Sequence, residues 1–315
     1  MRMGFEFPVL GKVDIFVHNK KFADFIRRQF VTYYYESSNS NQDGLIIVNN
    51  LKLINQLKKI LSKELALSRE FIIKNHVLIY KNVIYKIDNG KLSIQVLPCK
   101  NIKKRVINQI CRFRLGEYGF FHNKFYYEVL FPIFSLYAMQ GFCILHGALI
   151  QDINGRDIVL IGLDGVGKSS LSILFQQKKA KSFCDNFLLS DGYNFVPLNL
   201  SVRVDLDVPI NDSYTEIFRN KKLREVSNFN NCRTLCKVEK VYIIYIAEKL
   251  FSTEKSISLI NLINYSNGAC EIRDANSYIA PFSLLASYSK DKCLCANYIG
   301  IPKGKLLDGL KEIEK

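Results

Sequence analysis

The run Gly162-Leu163-Asp164-Gly165-Val166-Gly167-Lys168-Ser169 constrains this chain more than any other stretch. It fits G-x-x-x-x-G-K-[ST] without exception, a chance event on the order of 1% in a chain of this length at average composition. An apolar segment, Asp157–Ile161, leads into it, and an amphipathic segment from Lys168 to about Gln177 follows. That strand–loop–helix order is the context the motif requires. Glycines let backbone N–H groups converge on phosphate oxygens, and the helix N-terminus adds the positive end of its dipole. The expected phosphate contacts are Gly162, Asp164, Gly165, Val166, Gly167, Lys168, Ser169 and Ser170. Lys168 reaches the terminal phosphates, and the Ser169 hydroxyl is placed to hold Mg²⁺. The pattern predicts that the chain binds a nucleoside triphosphate, read as ATP with Mg²⁺. No Asn-Lys-x-Asp sequence and no Asp-x-x-Gly switch segment follows the loop, so a GTPase is excluded; Asn220-Lys221-Lys222 lacks the acid.

Length and charge set the organisation around this loop. With 315 residues, 48% of them hydrophobic and 23% charged, the chain is expected to fold as two domains. Residues 1–135 carry 22 basic and 10 acidic side chains, a net +12 of the total +15. The reading is a basic α+β domain over 1–118, suited to recognising an anionic partner, and a catalytic α/β domain over 119–315. In the first domain, alternation predicts strands at Val13–Val17, Leu45–Val48, Val77–Tyr80, Val83–Ile87 and Lys91–Leu97, the last three as a meander. Helical periodicity covers Lys21–Tyr35 and Leu51–Leu67. In the second, strands are expected at 142–150, 157–161, 186–190, 193–198 and 241–247, with helical pieces at 213–224 and 304–314. Val129–Ile150 has the length of a membrane span and no charged residue. Pro132, Gln140, Gly141, His146 and Gly147 interrupt it, so a buried helix (about 123–140) followed by a buried strand is expected, with no membrane.

The order His146-Gly147, turn, strand, phosphate loop, helix and then Phe183-Cys184-Asp185-Asn186 resembles the HPr kinase/phosphorylase family and its shorter relatives. The resemblance covers about residues 140–200. It implies a P-loop kinase domain of the HPr kinase/PEP carboxykinase-like type and transfer of phosphate to a serine hydroxyl of a protein or peptide. Family members carry His-Gly on the strand before the loop and an Asp-Asp pair after the loop helix. Here His146-Gly147 matches the first and Asp185-Asn186 the second, which leaves one carboxylate. Asp164 stands where relatives more often carry Ser, and the glycine- and arginine-rich segment used for phosphorolysis is not found. The resemblance therefore implies a kinase without phosphorylase activity, as in kinases that modify precursor peptides.

Spacing supports the same residues independently. Asp185 lies 17 residues beyond Lys168, one helix plus the start of a strand, which returns it to the phosphate edge as a general base or Mg²⁺ contact. His146 precedes Gly162 by 16 residues, two strands and a hairpin, and is expected beside the loop, paired with Asp185 or a phosphate oxygen. The catalytic set is Asp185, His146 and Lys168, with Ser169 and Asp185 toward the metal. Asp191 reads as a turn acid, Glu248 as an acid ending a strand, and Arg203 as a lone cation. His18 and His76 are isolated.

Nine cysteines and a start without an apolar leader point to a reducing cytoplasm. The pairs Cys232/Cys236 and Cys293/Cys295 lack zinc-knuckle spacing and read as free thiols. Three functions compete: an ATP-dependent serine/threonine kinase acting on a protein or peptide, an RNA or small-molecule hydroxyl kinase using the basic domain, and a nucleotide-binding module without turnover.

Overall fold

Strand signals in the first hundred residues assemble into one antiparallel sheet. The computed structural model describes residues 1–30, 33–37, 44–62, 71–74, 76–97, 102–198, 200, 203–205, 214–218, 221–224, 235–238, 240–266, 270–283 and 293–314. The chain divides into two units, Met1–Gln140 with Tyr278–Ala286, and Gly141–Ser277 with Ser287–Lys315. In the first, the strands are β1 (Arg2–Phe7), β2 (Gly11–Phe16), β3 (Tyr33–Ser37), β4 (Leu45–Val48), β5 (Phe71–Lys74), β6 (Val77–Tyr80), β7 (Val83–Asp88) and β8 (Lys91–Val96). They lie in the order β3-β1-β2-β4-β8-β7-β6-β5. The meander forms as expected. Asn89 and Gly90 both take positive φ (48° and 72°), the two-residue turn that matches strand twist and sets Asp88 opposite Lys91.

Helix α1 (Lys20–Gln29) is capped by Asn19, whose side chain accepts from the Phe22 N–H, and it buries Phe22, Phe25 and Ile26. It stops short of the expected Tyr35, because the aromatic run Tyr33-Tyr34-Tyr35 enters β3 instead. Next come α2 (Leu51–Ser62), α3 (Ile102–Phe125, broken at Gly116), a π turn at Tyr126–Leu130 and α4 (Phe131–Met139). Every residue of α4 is buried. The charge-free run therefore splits into helix and strand, and among the described residues no helix is long and apolar enough to cross a membrane.

The second unit is a mixed α/β layer built on β9 (Cys143–Gln151), β10 (Asp157–Gly162), β11 (Lys181–Ser190), β12 (Phe195–Pro197), β16 (Lys240–Ala247), β17 (Phe251–Ser258) and β18 (Cys293–Pro302). Their order is β12-β11-β9-β10-β16-β18-β17. The trio β10, β16 and β18 is parallel; the other pairings are antiparallel. Helices α5 (Lys168–Gln177) and α8 (Leu306–Glu314) cover one face, over Ala148, Leu160, Ile244, Ile299 and Ile301. Helix α6 (Leu259–Ser266) packs into the other, with Leu145, Leu149, Val159, Ile161 and Ile243. Each such fully buried aliphatic side chain contributes about 1.5–3 kcal/mol, so two buried faces hold the site-bearing strands rigidly. Helix α7 (Cys270–Ser283) passes from this unit into the first at Tyr278.

The helical expectation at 213–224 is overturned. β14 (Tyr214–Phe218) and β15 (Lys221–Arg224) pair antiparallel, with β13 (Arg203–Asp205) beside β15. Aromatic and β-branched residues at Tyr214, Thr215, Ile217 and Phe218 suit a strand.

Candidate functional site

The phosphate loop leaves the C-terminal end of β10, in the middle of the parallel trio, and runs directly into α5. Gly162 is dictated by close approach: a Cβ there would lie 2.4 Å from the Ile244 carbonyl oxygen on β16. Gly167 is dictated by conformation. Its φ of 95° is left-handed, and it forms the N-cap of α5 with no side chain to accept from the first-turn N–H groups. Those donors and the dipole therefore face outward from a glycine-lined concavity, and around Gly165 (φ 76°) the space a Cβ would take is open. The arrangement fits a phosphate group. Asp164 is exposed and its carboxylate accepts from the Gly165 N–H at 3.1 Å, so its charge sits on the outside of the loop. Val166 is buried; Ser169 and Ser170 are half-buried in the first turn of α5.

Lys168 is buried, and its ammonium donates to the carbonyls of Gly162 (3.0 Å) and Leu163 (2.8 Å). Burial lowers its pKa to about 8, against the opposing pull of Asp185 and Asp164. Asp185 therefore lies within electrostatic reach of the Lys168 ammonium. His146 is also buried, 8% exposed, and burial with the Lys168 charge lowers its pKa to about 4, opposed by Asp164. Its Nδ1 has no hydrogen-bond partner among the described residues. His146 is thus a neutral imidazole beside a cation, and its charged neighbours are Lys168 and Asp164.

How Asp185 reaches this face is a matter of register. Ser182 is opposite Ile150, but Cys184 is opposite Leu149, so Phe183 is an extra residue in β11. Phe183 and Cys184 consequently both point into the α6-side core. Beyond the bulge Asp185 is opposite Ala148, whose side chain lies under α5, and His146 is opposite Phe187. Asp185 and His146 are diagonal neighbours on the face that carries Lys168, about 7–8 Å apart along the sheet. Without the extra residue Asp185 would turn away from the loop. Gly147, level with Ile161, has its own steric reason: a Cβ would meet the Leu160 carbonyl oxygen at 2.8 Å.

The remaining acids lie elsewhere. Asp191 accepts from the N–H groups of Tyr193 and Asn194 and from the Asn194 side chain, which makes it a turn acid. Glu248 is exposed beyond the end of β16. The backbone of Arg203 is in β13, and Cys232 lies outside the described residues. Cys236 is buried and Cys295 is exposed, donating to Glu254. Among the described residues no three His, Cys, Asp or Glu side chains gather as a metal cage. Sequence reading did not anticipate that α8 seats on the loop: a Cβ on Gly167 would lie 2.6 Å from Leu306 Cδ2. Nothing in local spacing signals that contact.

The fold and site define a mixed α/β protein with a glycine-rich G-x-x-x-x-G-K-S loop at the carboxyl edge of a parallel strand trio. No protein-family model matches the chain, and no curated protein matches it. Among solved structures it is similar to the HPr(Ser) kinase/phosphatase from Coxiella burnetii, with 12% sequence identity and a TM-score of 0.30, over 54% of this chain and 93% of that one.

Proposed function

We propose that the chain is an ATP-dependent phosphotransferase that moves the γ-phosphate to a serine or threonine hydroxyl of a protein or precursor peptide. The observation that carries this reading is the convergence of the loop lysine, a single carboxylate and a neutral imidazole on one face of the sheet. A loop that only held nucleotide would have no need of a carboxylate returned to its lysine by a strand bulge. Phosphoryl transfer needs fixed phosphates, neutralised charge and an acceptor for the hydroxyl proton. Here the backbone N–H groups of residues 166–169 and Lys168 fix and neutralise, and Asp185 accepts the proton. His146, uncharged near neutrality, donates or accepts one hydrogen bond without adding charge, so it orients rather than neutralises. Ser169 and Asp185 would hold Mg²⁺ together with phosphate oxygens and water. When bound, that ion supplies charge neutralisation between the phosphates.

The test is incubation of the full chain with labelled ATP, Mg²⁺ and candidate serine-containing peptides, with Lys168→Ala as the control. Label transferred to a hydroxyl by the parent chain and absent with Lys168→Ala supports the reading. Tight ATP binding without transfer to any protein, peptide or small hydroxyl acceptor, and without slow hydrolysis, would leave a binding module instead.

A further inference from the structure

The phosphate loop has a structural counterpart two strands away. β18 ends at Pro302, turns through Lys303-Gly304-Lys305 and enters α8, just as β10 turns through its loop into α5. Gly304 takes a φ of 80°, and the Lys305 N–H closes the turn onto the Pro302 carbonyl at 3.0 Å. The two connections leave the same edge: Gly162 is level with Ile244, and Ile244 with Ile299, in a continuous parallel ladder. Pro302 lies three residues beyond Ile299, about 10 Å further out along the strand, so the turn stands past the level of Gly162. From there α8 comes back toward the loop, and Leu306 packs on Gly167 as described. Lys305 is the next residue outward, about 3.8 Å along the chain from Leu306 at the Cα atoms. Lys305 therefore sits on the segment of chain that turns onto the loop.

Both lysines are exposed, and neither ammonium has an ion-pair partner among the described residues. Lys178, at the far end of α5, is by contrast paired with Glu314 at 2.7 Å. Asp308 occupies the first turn of α8, so the dipole of that helix already faces a carboxylate and the attraction for an anion comes from the lysines. The loop itself has a deficit to meet. A nucleoside triphosphate is multiply charged, while Lys168 is tied to two carbonyls and the exposed Asp164 adds negative charge on the loop itself.

We propose that Lys303 and Lys305 form a second cationic arm of the phosphate site, contacting the terminal phosphoryl group of the nucleotide from the α8 side. The assignment rests on the reading of residues 162–169 as a triphosphate cradle. It predicts a preference, not merely an affinity: the arm distinguishes ATP from ADP because it reaches past the β-phosphate.

The experiment measures equilibrium binding of Mg-ATP and Mg-ADP to the full-length chain and to Lys303→Gln/Lys305→Gln, Lys305→Arg, Lys311→Gln and Lys168→Ala, each checked for an unchanged thermal midpoint. The double variant should lose ATP affinity roughly tenfold, the size of a charge-assisted contact, and ADP affinity much less. Lys305→Arg should retain the ATP preference, and Lys311→Gln, further along α8, should match the parent. Parent-like ATP and ADP affinities in the folded double variant, with both lost in Lys168→Ala, would overturn the arm and leave the cradle standing. Parent-like binding in Lys168→Ala would overturn the cradle and the arm together.

Discussion

Acidification should act on this protein through His146 in a way that can be calculated. Its folded pKa is about 4, against an ordinary 6.5, because burial and the Lys168 charge both oppose the imidazolium. Above pH 6.5 both folded and unfolded chains hold it neutral, and the difference contributes nothing to pH dependence. Between 6.5 and 4 the unfolded chain takes up a proton that the folded chain refuses, so stability falls as the pH falls. At pH 5 the loss attributable to this one group is about 2 kcal/mol, and the limit below pH 4 is about 3 kcal/mol, at 1.36 kcal/mol per unit. Other groups titrate in the same range, so the informative quantity is a double difference. Urea unfolding of the parent and of His146→Gln at pH 7 and pH 5 removes every contribution the two share. The parent should lose about 2 kcal/mol more than the variant over that interval. A direct check follows the imidazole Cε1–H resonance that disappears in His146→Gln; its midpoint should lie near 4. Equal pH dependence in the two proteins, with a midpoint near 6.5, would show that His146 is solvated and not enclosed beside Lys168.

Lys168, with a pKa of about 8, should regain its full charge when a phosphate binds, so nucleotide binding at pH 8 should take up about half a proton. Calorimetry in two buffers of different ionisation enthalpy reads the uptake, which should vanish near pH 6.5. Asp185→Asn should keep ATP bound and lower single-turnover transfer by roughly 10²-fold, the effect of removing a positioned base; transfer at the parent rate would place the base elsewhere. Gly162→Ala puts a methyl 2.4 Å from the Ile244 carbonyl oxygen and should cost about 1–3 kcal/mol, read as a lowered thermal midpoint with the loop's affinity for nucleotide reduced.

The phosphate loop and its helix were legible in the sequence because their determinants are local. Glycine conformations, the break between an apolar strand and an amphipathic helix, and the lysine at the helix start all sit within about twenty residues, and α5 spans Lys168–Gln177 as the periodicity indicates. The β6–β7–β8 meander was legible for the same reason, through alternation and the Asn89-Gly90 turn. Residues 213–224 were misread because a short segment with mixed apolar spacing satisfies a helical pattern and a strand pattern alike, and the pairing of β14 with β15, with β13 beside β15, selects the strands. Spacing returned Asp185 to the loop's edge of the sheet, but the face it occupies depends on a register that spacing does not show. Alternation assigns a side chain to one face only if the register is uninterrupted, and one extra residue at Phe183 reverses the assignment for everything after it. That bulge is stable because Phe183 and Cys184 can both be buried in the core on the α6 side, which is formed by strands and a helix distant in sequence. The seating of Leu306 on Gly167 has the same character: residues about 140 positions apart meet only because β10, β16 and β18 lie side by side. Local chemistry determined the conformation of the loop and its helix, and long-range packing decided which carboxylate and imidazole share a face of the sheet with Lys168.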